Sequence, residues 1–337
     1  MNLHIKIPPK FAMVDANKFN NIVAVIEQVD RDNYQSYYLL KNGEQVGQGS
    51  LYMNGNYLDC ECEEKIRFRD KNLDRVGFFD KNGNKVIPAL YSDAEPFRNN
   101  MAMVLKDAQR VCPDGTKYSL EKGNCEHWRW DGGRSYLINS ENKILINDFK
   151  HTRDLDWFSL KVTEKKSNNP IRESFKGING KYYSFVNFQK EFQNWLESAF
   201  FLSDNFNSLK TNSFQKITFW DGNKKKWSSV NKAPFLKNHS KTILKIIKEL
   251  KNSKLNFEIH KNSTGVMDLS FDNGLYSSYF DSCSNHRIWK YPLFDLVISH
   301  YSNDGEKKLL YQDNFEFLKT INGYKLIMLS LKSAELK

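Results

Sequence analysis

The sequence predicts an α+β fold in two parts: a mostly antiparallel β hairpin-repeat domain over residues 1–160, and a basic, mixed α+β domain over residues 161–337 with two helices packed on an antiparallel sheet. Three observations predict this. Asn-Gly turns separate strand-like segments in the first half. Apolar residues take helical spacing after residue 187. A length of 337 residues exceeds what one hydrophobic core usually holds.

The segment Arg75–Val104 contains one complete hairpin unit. Gly77–Asp80 ends a short strand, Asn82-Gly83 is a favoured hairpin turn, and Val86-Ile87 returns the chain to Pro88. An apolar loop follows before the next strand. This segment therefore predicts a strand, turn and strand in about thirty residues.

Two further segments follow the same order. Tyr37–Val46 contains a second Asn-Gly turn. Tyr136–Ile146 matches the apolar positions of Gly77–Ile87, with Asn139 in the place of Asp80. The sequence therefore predicts three hairpin units at irregular spacing, a degenerate array rather than a repeat of fixed period.

The unit resembles the WG-repeat family of bacterial proteins, whose units carry G-x-x-D-K-x-G-x-x-V-I-P followed by a Tyr and a Phe. Tyr91 and Phe97 take these last positions, and Val76 stands where the family has its tryptophan. The resemblance implies an architecture and little chemistry. A bacterial chain of this architecture also resembles immunity proteins, which neutralise toxins that neighbouring bacteria deliver, for example by type VI secretion.

Two helices are predicted in the second half. The first has a possible N-cap at Asn187 and an apolar face made of Phe188, Phe192, Trp195, Leu196 and Ala199. The second spans Ser240–Lys251, with isoleucines and a leucine facing inward and lysines facing outward.

Strands are predicted after the second helix, at residues 255–260, 267–272, 291–301, 315–320 and 324–331. Residues 291–301 are largely apolar on both faces, which predicts a strand inside its sheet. Asn322-Gly323 joins the last two strands. An early helix on a sheet that closes with a hairpin resembles nuclear transport factor two-like domains, which implies a cone-shaped fold with an interior pocket.

The net positive charge of the chain comes from residues 151–337. Residues 1–150 hold 21 Lys and Arg against 21 Asp and Glu, which leaves 29 and 19 for residues 151–337. A basic domain favours an acidic partner, either a nucleic acid or an acidic protein surface. The alternative is that lysines simply fill solvated faces.

The cysteines and the N-terminal residues indicate the cellular compartment of the protein. Five cysteines at positions without a framework spacing argue against a disulfide-stapled secreted domain. The first residues contain prolines and lack the apolar run of a signal peptide. No window approaches the ~18 apolar residues of a membrane span. The sequence predicts a cytoplasmic chain without membrane contact.

Two groups of residues are candidates for partner binding. His127, Trp128, Arg129 and Trp130 lie in an insertion between residues 108 and 133, and Trp and Arg are enriched at binding hot spots. Lys224, Lys225, Lys226 and Trp227 lie at a predicted turn, where basic and aromatic residues suit phosphate contact and base stacking. The alternatives are a cap on the hairpin stack and a solvated hairpin tip.

Cysteine chemistry offers weaker alternatives. Cys60, Cys62, Cys112, Cys125 and His127 offer zinc-type ligands, but their spacing fits no standard finger or ribbon. Cys112 and Cys125 flank a loop and could also form a disulfide.

A second cluster contains a nucleophile, a base and acids. It consists of Asp281, Cys283, His286 and Asp295, and it matches no protease signature. The sequence therefore predicts no catalytic residue, no metal and no cofactor.

The predicted function is non-catalytic protein binding, by an immunity protein that occludes the active site of a toxin with an acidic surface. The alternatives are nucleic-acid binding through the basic domain, and a small-ligand-binding or enzymatic α+β domain.

Overall fold

Strands dominate the fold. The computed structural model describes residues 10–119, 122–150, 154–252, 255–262, 274–302, 308–333 and 336. The chain is mostly antiparallel β-sheet, with 48% strand against 14% helix. The predicted α+β class therefore overstated the helices: the protein is β-rich, because strands run through both halves whereas the α-helices of the described chain lie between residues 188 and 251.

The described residues before 188, which we call the repeat half, form five antiparallel sheets in the orders β1-β2-β3-β4, β5-β6, β7-β8-β9, β10-β11-β12-β13 and β14-β16-β15. Their strands are β1 (Phe11–Met13), β2 (Ile22–Gln28), β3 (Tyr34–Leu40), β4 (Gln45–Val46), β5 (Met53–Asn54), β6 (Tyr57–Leu58), β7 (Lys65–Asp70), β8 (Arg75–Asp80), β9 (Lys85–Tyr91), β10 (Asp93–Ala94), β11 (Met101–Val111), β12 (Arg129–Asn139), β13 (Ile144–Asn147), β14 (Leu155–Thr163), β15 (Arg172–Lys176) and β16 (Tyr182–Asn187).

The same turn recurs five times in the described part of the repeat half. In each case an amide donates to the carbonyl three residues back, and the donor residue has a positive φ. The five donors are Gly43, Gly83, Gly115, Asn142 and Gly180. Three of these turns lie at the predicted hairpin units, and the turn at Gly180 shows a further unit, the fourth, that the sequence reading did not identify.

The third unit uses its asparagine as the second uses its aspartate. Asp80 Oδ1 accepts the amides of Asn82 and Asn84 at 2.9 and 2.8 Å. Asn139 Oδ1 accepts those of Glu141 and Lys143 at 3.1 and 2.8 Å. The predicted equivalence of Asp80 and Asn139 is confirmed, because both side chains tie the turn to its own backbone.

Apolar side chains in the repeat half are buried between successive sheets. One cluster, around Phe68 and Phe79, joins the first sheet to β7–β9. A second, around Phe78 and Phe97, joins β7–β9 to the sheet containing β11. A third, around Trp157, joins that sheet to β14–β16. Each sheet thus contacts mainly its neighbours, as in repeat proteins.

The described residues from 188 onward, which we call the second half, combine three α-helices with one six-stranded sheet of order β18-β17-β22-β21-β20-β19. The elements are α1 (Phe188–Trp195), extended by a π-helical segment (Leu196–Phe200), α2 (Phe206–Thr211), β17 (Ser213–Asp221), β18 (Lys226–Asn231), α3 (Lys232–Lys251), β19 (Phe257–Asn262), a 3₁₀ turn (Ser277–Tyr279), β20 (Leu293–Tyr301), β21 (Leu309–Thr320) and β22 (Gly323–Ser330). The β17–β22 pair is parallel, so the sheet is mixed rather than antiparallel.

Both predicted helices are present. Asn187 caps α1, and its side chain accepts the amide of Lys190. The second helix, α3, begins eight residues before the predicted start because Pro234 lies in its first turn, where a missing N–H costs nothing. Helices and sheet share one core, in which Phe192 stacks on Phe294 with ring centroids 4.4 Å apart.

The sheet also confirms two strand predictions. Residues 293–301 form β20, which lies between β19 and β21. Gly323, with a φ of 82°, closes the final hairpin. The predicted strand at 267–272 lies outside the described residues.

Sheet β14–β16 covers residues 155–187, so the boundary predicted between residues 160 and 161 falls inside it. No α-helix in the described part of the chain is long and apolar enough to cross a membrane.

Candidate functional site

The longest ribbon of the repeat half contains both ends of the predicted insertion. β11 and β12 are antiparallel and keep one register, from Met101 opposite Asn139 to Val111 opposite Arg129. The insertion predicted at residues 108–133 is therefore strand at both ends, because the two strands remain paired beyond their neighbours β10 and β13. The chain leaves the ribbon between residues 112 and 128.

A disulfide closes this end. Cys112 and Cys125 are bonded, with Cα atoms 6.0 Å apart. The amide of Gly115 donates to the carbonyl of Cys112 at 2.9 Å in a turn with a φ of 86° at the glycine. We call residues 110–118 and 125–130 the stapled tip.

Arginine and aromatic side chains stack on one another in the stapled tip. The guanidinium carbon of Arg110 lies 4.2 Å from the ring centroid of Trp128 and 5.1 Å from that of Trp130. The two tryptophans meet edge to face at 5.2 Å. Tyr118 lies 6.0 Å from Trp128. Cation–π and edge-to-face contacts each stabilise such an arrangement by about 0.5–2 kcal/mol.

Two carboxylates anchor this stack to the neighbouring unit. Asp74 pairs with Arg69 at 2.7 Å and with Arg110 at 3.0 Å. Asp93 accepts the indole N–H of Trp130 at 2.9 Å. Burial, and secondly the charge of Arg69, lower the pKa of Arg110. The carboxylates compensate part of that cost, and the tip is held in one orientation.

The four predicted residues of this group differ in exposure. Trp128 is 37% exposed, and His127 and Arg129 are exposed beside it. Arg129 pairs with Asp131 at 3.1 Å. Trp130 is half-buried and holds the stack in place. Trp130 is thus packed within the stack, whereas the side chains of the other three are exposed to solvent.

Sequence reasoning missed the residues that hold the tryptophans, namely Arg69, Asp74, Asp93, Arg110 and Tyr118. Their positions span fifty residues of chain and come together only through the packing of two sheets. The one local signal was the Cys112–Cys125 pair, which predicts a closed loop if the thiols oxidise.

The second predicted group forms the tip of the β17–β18 hairpin. Asp221 accepts the amides of Asn223 and Lys224 at 3.1 and 3.0 Å, and it pairs with the Lys224 ammonium at 2.9 Å. Hydrogen bonds from Lys224 lower the pKa of Asp221. Lys225 and Lys226 are exposed to solvent.

Trp227 lies opposite Trp220 across this hairpin, with ring centroids 5.8 Å apart. Trp227 is 44% exposed. The hairpin and the stapled tip belong to different sheets. The two predicted groups are therefore separate surfaces.

Helix α3 presents a lysine face that adds to the basic character of this half. One side is buried in the core through residues such as Ile243 and Ile247. The opposite side exposes lysines at helical spacing, namely Lys237, Lys241, Lys245 and Lys248. The expected outward direction of the lysines in this helix is confirmed.

The remaining cysteines do not assemble the zinc ligands considered from the sequence. Cys60 is bonded to Cys283, with Cα atoms 6.2 Å apart. Cys62 is a free thiol whose Sγ donates to the carbonyl of Phe97 at 3.0 Å. Among the described residues, Cys60, Asp281 and Cys283 are grouped closely enough to hold a metal ion, but the two sulfurs are bonded to each other.

The cluster of a nucleophile, a base and acids is also dispersed. Cys283 is not available as a thiolate because it is in a disulfide. Asp281 accepts the amides of Cys283 and Asn285 at 2.9 Å each, as a turn residue does. Burial lowers the pKa of His286 to about 4, so the imidazole is neutral. Asp295 lies apart from these residues, on β20.

Asp295 lines a cavity of about 300 Å³ that also includes Trp227. Glu316, which is 6% exposed, is the cross-strand partner of Asp295 and lines the same cavity. Burial raises the pKa of Asp295. The structure thus brings together two residues from different predicted groups, and adds a carboxylate that the sequence reading did not select.

One segment of the chain is similar to a known protein family. Residues 77–108 match the family model for the WG containing repeat, which begins at Gly77 in β8 and ends in β11. No curated protein and no solved structure matches the chain. The similarity covers the second unit and most of the strand that follows it, β11, and it supports the stacked-hairpin architecture of the repeat half.

Proposed function

We propose that this chain is a protein-binding module whose contact surface is the stapled tip. The observation that carries the proposal is the Arg110–Trp128–Trp130 stack, in which an exposed tryptophan is fixed by a disulfide and two carboxylates. Tryptophan and arginine dominate binding hot spots because they combine apolar area with directed hydrogen bonds.

Preorganisation is the physical advantage of this tip. A free loop loses side-chain and backbone entropy when it binds, at about 0.5–1.5 kcal/mol for each immobilised side chain. Here Trp128 is already stacked on Arg110, and the backbone around it is closed by Cys112–Cys125. Most of this entropy is therefore lost when the protein folds, so the entropy cost that opposes binding is smaller.

We further propose that the module is an immunity protein that inhibits a bacterial toxin by covering its active site. The similarity of residues 77–108 to the WG containing repeat supports a scaffold role for the repeat half. The net charge of +10 and the lysine face of α3 favour a partner with an acidic surface.

The test uses the product of the neighbouring gene as the partner. The two proteins are co-expressed, co-purified and titrated, with a dissociation constant in the nanomolar class expected. Trp128→Ala should weaken binding by about 2 kcal/mol, roughly thirtyfold. Tyr57→Ala removes an aromatic ring that is 72% exposed on the β5–β6 hairpin, and should leave binding unchanged.

Two results contradict the proposal. Absence of a stoichiometric complex with the neighbouring gene's product, together with no protection of cells that express it, excludes the immunity function. A complex that Trp128→Ala and Tyr57→Ala affect equally excludes the stapled tip as its contact surface.

Nucleic-acid binding is the second candidate, and the lysine face of α3 favours it. Lys237, Lys241, Lys245 and Lys248 form one exposed stripe, and Lys225 and Lys226 add charge at the β17–β18 tip. A gel-shift titration across salt concentrations should show a steep loss of affinity, and removal of four contacting lysines should reduce the log–log salt slope by about 3–4.

The control removes four exposed lysines of the repeat half, namely Lys41, Lys71, Lys143 and Lys181. If both quadruple variants change the salt slope equally, the binding is a net-charge effect and the α3 surface is not a site.

The second half is also proposed to be related to nuclear transport factor two-like domains. Its early helix, its six-stranded sheet and its closing β21–β22 hairpin support this relationship. The relationship concerns the fold, and the binding proposals above do not depend on it.

A further inference from the structure

The loop before β20 is fastened to the repeat half. Residues 281–290, which we call the clasp, are covalently joined to Cys60 through Cys283. The amides of Asn17 and Lys18 donate to the carbonyl of Ser282 at 2.9 and 3.0 Å. The clasp therefore contacts loop residues that precede it by more than two hundred positions.

The other end of the clasp packs on a different part of the repeat half. Trp289 stacks on Phe158 with ring centroids 5.7 Å apart, and the guanidinium of Arg98 lies 5.3 Å from the Trp289 ring. Lys290 lies 4.6 Å from the Phe158 ring. These contacts are few and partly exposed, so each is weak by itself.

We propose that the Cys60–Cys283 bond is a redox-formed lock that holds the clasp on the repeat half, and that the chain completes its fold in an oxidising compartment. The inference concerns assembly of the two halves and does not rest on the proposed binding function.

The reaction is thiol–disulfide exchange with an external disulfide oxidant. The Sγ–Sγ bond between Cys60 and Cys283 forms while the oxidant's S–S bond breaks. Two electrons and two protons pass from the protein thiols to the oxidant, which leaves as two thiols. A dithiol reductant reverses both changes.

The local structure selects this pair of cysteines. Asp281 fixes the turn by accepting the amides of Cys283 and Asn285, and the amide nitrogen of the Asn285 side chain lies 3.9 Å from Cys60 Sγ. Cys62 is excluded as a competitor because its Sγ is directed at the Phe97 carbonyl. Burial raises the pKa of Cys62 to about 12, so it stays a thiol.

Four of the five cysteines are thus paired, which bears on the compartment. Stable disulfides form and persist where conditions are oxidising and are rare in the cytosol. The pairing of Cys60 with Cys283 has no counterpart in the spacing of the sequence, and it weighs against the predicted cytoplasmic location. A periplasmic or extracellular compartment fits both bonds.

The first experiment maps thiols in the full chain, made in an oxidising compartment, denatured and alkylated without reductant. Modification of Cys62 alone is expected, and modification of all five cysteines after reduction. Alkylation of both Cys60 and Cys283 before reduction would overturn the proposal.

The second experiment measures the lock by limited trypsin digestion, because Arg287 and Lys290 lie within the clasp. Cleavage at these sites should accelerate roughly tenfold or more in Cys60→Ser/Cys283→Ser, since proteolysis follows the population of the open form. The matched variant Cys112→Ser/Cys125→Ser should instead accelerate cleavage at Lys117, in the stapled tip.

If the double variant does not fold, a titration of the native chain with reductant gives the same readout. Equal cleavage rates at Arg287 and Lys290 with the Cys60–Cys283 bond oxidised and reduced would show that the other contacts alone hold the clasp, and the lock would be rejected.

Discussion

The repeat half and the second half bury their apolar side chains in different ways. In the repeat half, separate clusters lie between neighbouring sheets, and each takes its residues from one stretch of the chain: 22–79, 52–138 or 101–185. In the second half, one cluster contains residues from Phe188 to Leu336. We infer that the repeat half is stabilised unit by unit, whereas the core of the second half forms only when residues from its whole length have come together.

The comparison is tested most strongly by removing one ring from each core. Phe192 is fully buried and contacts Phe294 and Tyr324, with centroids 4.4 and 5.0 Å away. Phe192→Ala should lower the free energy of unfolding by about 3–5 kcal/mol. Hydrogen exchange should then rise across the whole of the six-stranded sheet.

Phe78→Ala is the matched change in the repeat half, where Phe78 is 1% exposed and contacts Phe97 at 4.9 Å. Its cost should be similar, about 3–5 kcal/mol, but faster exchange should be confined to the two adjoining sheets. Equal loosening of the second half would show that the two halves unfold as one unit.

The clasp gives the second half a pH response through the half-buried His286. The folded pKa of His286 is about 4, below its unfolded value of 6.5. Below pH 6.5 the imidazole of the unfolded chain binds a proton, whereas that of the folded chain stays neutral. As the pH falls from 6.5 to 4, the free energy of unfolding should therefore decrease by up to about 3 kcal/mol.

Urea unfolding at a series of pH values measures this loss. His286→Phe should flatten the slope in that window, because the variant has no titrating group there. His127→Asn changes an exposed histidine and should retain the slope. A slope unchanged by His286→Phe would assign the pH response to other groups.

Close packing inside one repeat unit is tested at Gly77. A Cβ at this residue would lie 2.5 Å from the carbonyl oxygen of Ile87 and 2.7 Å from the ring of Phe68. Gly77→Ala should therefore cost about 1–3 kcal/mol, measured by thermal or urea unfolding. Gly274, in the second half, has nothing within 4 Å of that position, and Gly274→Ala should be close to neutral.

The smallest expected effect concerns one turn. Asp80→Ala removes the acceptor of two amides and should cost about 0.5–1.5 kcal/mol. Asp80→Asn keeps the oxygen that accepts the amides, as Asn139 does in the third unit, and should lower the free energy of unfolding by only about 0.3 kcal/mol. If both variants are equally destabilised, charge rather than turn geometry explains the aspartate.

Local signals were sufficient for the turns and for one helix start. In the Asn-Gly turns, glycine occupies the position with a positive φ, where it has no steric penalty. Asn187 caps α1, as its side-chain chemistry predicts. The fourth unit carried the same signal at Asn179-Gly180 but was not among the predicted hairpin units.

The candidate site was only partly predictable. The exposed residues His127, Trp128 and Arg129 were found from composition, but Trp130 is held inside the stack by Asp93. The cavity joins Trp227 to Asp295 through strands that are far apart in the sequence, and no local pattern indicates that contact.

Side-chain patterns in the sequence were enough to predict the Asn-Gly turns at Gly43 and Gly83 and the presence of two helices in the second half, since these depend on side chains within a few residues of one another. The tertiary structure alone decided that Cys60 meets Cys283, that Arg110 lies between Trp128 and Asp74, and that β17 pairs in parallel with β22. Those contacts depend on how whole sheets pack, and a single sequence carries no distance between residues separated by tens to hundreds of positions.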